Sequence, residues 1–307
     1  MHNHKCFQNH TGPWMIEAAW FSAAVAAIKA GTWKAPVSPC EKTQLSAQGL
    51  KIVYDPTSDT ERPEVLYFVT PHGVAVIECD GPMMKHKSKF GGCSTITARQ
   101  AIRAILQDKD AGSILLHVDS PGGNVAGTAE LANEIREANT QKPVHAHIDD
   151  MGASAAYWVA SQARRVTANA LGMIGSIGTF AILADESKAL DMAGVKLHLI
   201  TTGEMKGAGA DGVVTDELKS EVQGIVNSIN DVFLAEIGAS RGMTPKQVRD
   251  LATGQVWMAA EAKKLGLIDA VMSFDQALAA LSAKTKLPAD RPRTQRAVAA
   301  LKIAELS

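Results

Sequence analysis

From Val65 onward, short apolar-rich runs alternate with stretches whose apolar residues recur every three or four positions. The runs Val65–Val69, Gly73–Glu78, Ser113–Val118, Pro143–Ile148 and Val195–Ile200 have the length and β-branched content of strands. Between them, helical spacing predicts helices over Thr97–Gln107 (Ala98, Ala101, Ile102 and Ile105 on one face) and Val125–Asn139 (Leu131, Ile135, Ala138). Ala153–Gln162 reads as a further Ala-rich helix. The longest helical pattern covers Asp216–Ile237, where Leu218, Val222, Ile225, Ile229, Val232 and Phe233 recur. Thr244–Leu251, with Pro245 in its first turn, and Ala259–Leu265, ending at Gly266, are shorter helices. Strand–helix alternation predicts an α/β domain with a largely parallel sheet, whose sites form where strands run into helices.

The first 64 residues lack this rhythm. They hold a helix-like stretch, Trp14 to Lys29, and a Pro/Ser/Thr-rich passage from Pro36 to Pro63. The expected organisation is an arm and linker over 1–64, a catalytic-size domain over 65–286, and a basic tail over 287–307. The uncharged run between Glu17 and Lys29 is 11 residues, short of the roughly 17–25 that span a bilayer. Lys29 also interrupts it where a signal-peptide cleavage region belongs. His2, His4, Cys6 and His10 have metal-like spacing, but a frayed terminus explains them more simply, and no metal is expected.

Composition removes several classes. The chain has 307 residues, 31 Lys and Arg against 32 Asp and Glu, and a net charge of −1. Such a balance gives no global basic field for nucleic acid or an anionic membrane. The four cysteines (Cys6, Cys40, Cys79, Cys93) form no CxxC pair, which fits a reducing compartment.

Three segments carry candidate chemistry. Asp119-Ser120-Pro121-Gly122-Gly123-Asn124 lies between a strand and a helix. Paired glycines there serve a tight turn, a phosphate cradle or an oxyanion hole, since their N–H groups and the next helix N-terminus face an anion. No GxxxxGK[ST] or GxGxxG accompanies them. Gly152-Ala153-Ser154-Ala155-Ala156-Tyr157-Trp158 sits at another strand–helix junction. Ser154 there is either an N-cap or a nucleophile with small neighbours that leave space for an acyl group. The pattern departs from GxSxG at Ala156. Thr202-Gly203-Glu204-Met205-Lys206-Gly207-Ala208-Gly209 sets one lysine among glycines. On an open loop it is a solvated charge. Folded into a dry pocket, an amine falls from its usual pKa of about 10.4 toward neutrality and can take a proton from serine.

Together these segments resemble the signal peptide peptidase A (protease IV) family of serine peptidases, which shares its fold superfamily with the Clp proteolytic subunit and crotonase. The resemblance covers residues 65–282 and is carried by DSPGG at Asp119–Gly123, ASAAYW at Ala153–Trp158, GSIG at Gly175–Gly178, GxxKxAG at Gly203–Gly209, and GQVWMAAEAKKLGLID at Gly254–Asp269. It implies a Clp/crotonase-like domain of repeated β-β-α units. It implies Ser154 as nucleophile, Lys206 as general base 52 positions later, and Ser176 as the serine that orients the lysine amine. Gly123 matches the oxyanion-hole glycine, with Gly122 and the Ala155 N–H beside it. No cofactor is implied. The run after the lysine, Gly207-Ala208-Gly209-Ala210-Asp211, differs from the acidic residue and Asn-Pro or Ser-Pro pair common in the family.

Within the family the chain is similar to the phage and prophage head-maturation branch, through its single peptidase unit and the N-terminal Pro13-Trp14-Met15-Ile16-Glu17. That branch implies polypeptide substrates such as capsid, scaffold or portal proteins, a homo-oligomer, and a cytoplasmic location within an assembling prohead. A cellular, membrane-associated protein-degrading enzyme is the competing role. Two other classes stay open: a crotonase-type acyl-thioester enzyme using Asp149 or Asp150, and a non-catalytic capsid scaffold component. A histidine base is disfavoured, because His145 and His147 precede the serine on an alternating strand.

Overall fold

The computed structural model describes residues 14–30, 50–54, 65–86 and 91–287; for 18–20, 28 and 29 it describes backbone only. The His2/His4/Cys6/His10 set and the tail beyond Leu287 lie outside the described residues. Among those described, no cluster of metal-ligating side chains occurs, and no helix is long and apolar enough to cross a membrane.

The chain begins with β1 (Trp14–Ile16) and α1 (Ala18–Lys29), then β2 (Lys51–Tyr54), β3 (Val65–Val69) and β4 (Val74–Asp80). Next come α2 (Thr95–Gln107), β5 (Ser113–Ser120), β6 (Gly122–Asn124), α3 (Thr128–Gln141), β7 (Val144–Ala153) and α4 (Ala155–Ser161). β8 (Arg165–Ala168), β9 (Met173–Gly175) and α5 (Ser187–Met192) follow. The chain closes with α6 (Asp216–Arg241), α7 (Pro245–Leu251), β10 (Val256–Met258), α8 (Ala259–Lys264), β11 (Ala270–Val271) and α9 (Phe274–Ser282).

The main sheet runs β10-β9-β7-β5-β4-β3-β2, with β8 on β7 and β11 on β8. Its centre, β4-β5-β7 and the β8 and β9 branches, is parallel; β2, β3 and β10 add antiparallel edges. β2 falls within 1–64, so the expected boundary at Val65 cuts a hydrogen-bonded strand pair. β7 forks the sheet. Its first half pairs with β8 at His145–Ile148 and its second half with β9 at Met151–Ala153. The fork carries the chain directly into Ser154.

Period-two alternation in β5 explains the layers. Ile114, Leu116 and Val118 enter the main core with Ile102, Ile105, Leu131, Ile135, Tyr157 and Trp158 from α2, α3 and α4. Leu115 points the other way, to Phe274 and Leu281 of α9. Burial of that contiguous apolar surface is the main stabilising term. Trp158 also stacks on Phe233 of α6, ring centroids 4.8 Å apart, and donates from Nε1 to Glu236 at 2.7 Å.

One expected strand is not there. Val195–Ile200 has no strand partner and is exposed; Ile200 is 95% accessible. It lies on an arm between β9 and α6 whose apolar residues Ile182, Met192, Val195, Leu197 and Leu199 are exposed as well. An apolar-rich segment specifies a buried strand only where a neighbouring strand offers an edge, and none among the described residues reaches this arm. Conversely β8 and β9 are too short to announce themselves by periodicity, and Trp14–Ile16 extends as a strand ahead of the predicted helix.

Candidate active site

Ser154 occupies the N-cap position of α4, yet its side chain caps nothing. Its backbone is at φ 54°, ψ −120°, a conformation that suits glycine and costs about 1–3 kcal/mol for other residues. Neighbouring structure holds it there: its N–H donates to the Gly175 carbonyl at 2.7 Å, and its carbonyl accepts from Trp158 N–H at 2.9 Å. The hydroxyl is buried and has no hydrogen-bond partner among the described residues. Of the two readings of Ser154, capping is therefore excluded. A buried polar atom without a partner, on a strained turn, makes Ser154 the candidate for chemistry at this junction.

The glycine pair lies against this serine. Gly122 has φ 94°, and a Cβ added to it meets Ala153 O at 2.8 Å and Ala155 N at 2.9 Å, the backbone on either side of Ser154. A Cβ on Gly123 meets Met83 O at 1.8 Å. Glycine is obligatory at both positions for close approach of backbone to backbone. Gly122 accepts from Met83 N–H at 2.8 Å and Asn124 N–H donates to Met83 O at 2.9 Å, so β6 is fixed on that side. The intervening Gly123 N–H faces the opposite side by strand alternation.

Ser176 belongs to the same wall. It follows Gly175, has φ 50°, is 6% exposed, and donates its N–H to Gln255 O at 2.6 Å. Ser154 and Ser176 are the two non-glycine residues with positive φ among those described. Sequence reading missed Gln255, whose signal was its place in the GQVW motif, opening the β10 partner of β9.

Lys206 lies elsewhere. It sits in a turn closed by its N–H to Gly203 O at 3.0 Å, exposed on the arm between β9 and α6. It is not a partner of the Ser154 hydroxyl, which has none. The cause is physical: the arm's apolar side chains find no cover among the described residues, so none of these draws the loop onto the body.

Several histidines and acids of β5 and β7 have partners of their own. His147 is buried, with Nδ1 2.9 Å from Thr167 Oγ1 and Nε2 3.3 Å from Asn169 Oδ1; burial, then His117, push its pKa down to about 4. His145 is also pushed down to about 4, chiefly by burial. Asp149 lies 3.4 Å from His117 and is held low, most of all by that hydrogen bond. Asp119, at the end of β5, accepts from Met151 N–H at 3.0 Å; burial, then the charges of Asp80 and Asp150, raise it to about 6. Cys79 and Cys93 are both buried free thiols, and hydrogen bonding to Cys93 with burial raises the Cys79 thiol.

Residues 136–288 match the model of peptidase family S49, a span that includes Ser154, Ser176 and Lys206. Protease 4 of Salmonella typhi is 28% identical over 215 residues, 70% of this chain and 35% of its own length. Capsid assembly protease C of Escherichia phage lambda is 29% identical over 212 residues, 67% of this chain and 48% of that protein. Head-tail preconnector protein GP5 of Enterobacteria phage P21 is 26% identical over 277 residues, 88% of this chain and 55% of its own. The chain thus spans about a third of Protease 4 and about half of the phage proteins.

Proposed function

Because the chain belongs to peptidase family S49, we propose that it is a serine endopeptidase acting through an acyl-enzyme on Ser154, with Lys206 as general base. The observation that carries this reading is the Ser154 hydroxyl: buried, unpartnered, and set on a strained turn against Gly122. In the proposed cycle neutral Lys206 takes the hydroxyl proton as Oγ attacks a peptide carbonyl carbon. The Gly123 and Ala155 N–H groups hold the resulting oxyanion. The lysine returns the proton to the leaving amine as the C–N bond breaks, and water then hydrolyses the ester. Ser176 orients the amine.

An amine sheds its proton readily only where solvent is excluded. The exposed arm supplies the means. Ile182, Leu197, Leu199 and Ile200 need cover, and a second copy of the chain is the partner this reading assigns to them, so that Lys206 reaches a serine site only in the homo-oligomer.

Capsid, scaffold or portal polypeptides inside an assembling phage shell are the proposed substrates. The phage relatives support this reading: GP5 pairs with 88% of this chain and capsid assembly protease C with 67% of it. A cofactor-free reaction follows from the chemistry of the dyad. The test is cleavage of an unfolded polypeptide by purified protein. Parent cleaves, while Ser154→Ala and Lys206→Ala do not and keep native circular dichroism. Cleavage by Lys206→Ala at the parent rate refutes the base assignment.

A further inference from the structure

β1 is buried beside the candidate serine. Trp14, Met15 and Ile16 are 5%, 0% and 3% exposed. They run antiparallel to β6 in a two-stranded sheet, with Met15 opposite Gly123 and Ile16 opposite Gly122. Across the other side, Trp14 N–H donates to Phe180 O at 2.8 Å and Phe180 N–H donates to Trp14 O at 3.0 Å. Residues 14–16 are therefore a strand gripped between two backbone segments. The segment continues into Glu17, whose N–H donates to Pro121 O at 2.7 Å.

The register decides what Met15 touches. Gly122 O and Asn124 N–H are both spent on Met83. Strand alternation turns the Gly123 N–H and C=O toward Met15, its opposite number. The Met15 carbonyl oxygen lies 2.3 Å from the point a Gly122 Cβ would take, and Ala155 N lies 2.9 Å from that same point. Oxygen and amide are thus no farther apart than the sum of those distances. The carbonyl of residue 15 lies close to the Gly122 backbone beside Ser154, near the Gly123 and Ala155 amides to which the proposed mechanism assigns the oxyanion. The Met15 side chain is sunk in the main core, and Phe21 of α1 packs between Trp14 and Phe180, with centroids 5.5 and 5.7 Å apart.

We propose that Trp14–Ile16 is a substrate-like strand held in the peptide channel by the chain itself. The intact protein then keeps its own serine covered, and a polypeptide substrate enters only when this segment is displaced. The channel's ligand class follows from its occupant: an extended peptide with a long unbranched apolar side chain at the position of Met15 and an aromatic one before it. This inference rests on the peptidase reading, since only that reading makes the Gly123–Ala155 cradle a reaction site. Strand addition supplies such binding through backbone hydrogen bonds, with side-chain pockets adding selectivity.

The test is the rate at which a fluorophosphonate probe labels Ser154 in the full chain. Met15→Asp unseats the strand by burying a charge. Glu17→Pro deletes the hydrogen bond to Pro121 O and leaves the core untouched. Both are expected to label about tenfold faster than the parent or more, as the open fraction rises. A synthetic peptide of residues 11–19 added to either variant slows labelling again, and the same peptide with Asp in place of Met15 does not. If both variants label at the parent rate while Ser154→Ala takes no label, the serine is reactive and the strap is no barrier: the inference falls and the peptidase reading stands. If natively folded parent and variants all leave Ser154 unlabelled, the peptidase reading itself falls, and the inference with it.

Discussion

The Ser154 amide donates to the Gly175 carbonyl at 2.7 Å, tying the strained turn of the proposed nucleophile to a second positive-φ residue at Ser176. At Ser154 a side chain is imposed on φ 54° and ψ −120°, where a Cβ is disfavoured. Relief of that strain should be measurable. Ser154→Gly is expected to raise the unfolding free energy by about 1 kcal/mol while abolishing activity. Ser154→Ala, equally inactive, keeps the Cβ and gains nothing of the kind. Denaturant midpoints of parent and both variants decide it; a Gly variant no more stable than the Ala variant means the turn is not strained.

Gly123 is constrained by contact rather than by a left-handed φ. A Cβ there lies 1.8 Å from the Met83 carbonyl oxygen, a backbone atom that the Asn124 N–H holds in place. Gly123→Ala must push β6 away from Met83 and tilt the amide assigned to the oxyanion. The expected loss is about 2.7–4 kcal/mol of transition-state stabilisation, read as a fall in kcat/KM with little change in KM. Loss in KM alone would assign Gly123 to substrate binding and not to the oxyanion.

The arm between β9 and α6 is the part of the proposed site that a single chain leaves open. Ile200 is 95% exposed, and Leu197 and Leu199 are exposed beside it. Ile200→Asp costs little within one chain, since surface changes are usually within about 0.5 kcal/mol. In an assembly that covers the arm, it buries an unpaired charge. Sedimentation should show the parent as a homo-oligomer and Ile200→Asp as a smaller species, with peptide cleavage falling in step. An equally active monomeric variant refutes the assignment of Lys206 to an assembled site.

Most of the parallel core was legible, because β5, β7, α2 and α3 bury whole faces and their periodicity is strong. The glycine pair and Ser154 were legible as a candidate site through the order and spacing of DSPGG, ASAAYW and GSIG together, since each junction alone reads as well as a tight turn or a helix cap. Three features were not. Trp14–Ile16 looked like the start of a helix, since three residues carry no period and its partner β6 lies over a hundred positions away. Val195–Ile200 looked like a strand, because apolar content reports a need for burial without saying against what. The φ of Ser154 is set by Gly175 and Trp158 together, a tertiary constraint that no local pattern encodes.

Acid should unfold this protein through its histidines. The folded pKa values of His147 and His145 are pushed down to about 4, first by burial, against about 6.5 in the unfolded chain. Between those values the unfolded state binds more protons, so their contribution is whole above about pH 6.5 and is lost as pH falls toward 4. Asp119 acts in the opposite sense. Raised to about 6, it takes up a proton on folding, and its burial costs stability that acidification gives back. Two sites against one leave a net loss. His147→Gln removes one of the two. The variant is expected to be less stable than the parent near pH 7, where the Thr167 and Asn169 contacts are weakened. That gap should narrow as pH approaches about 4.5, because the parent then spends free energy keeping His147 neutral. Chemical denaturation across this range measures it, and a gap that stays constant means His147 does not titrate with unfolding.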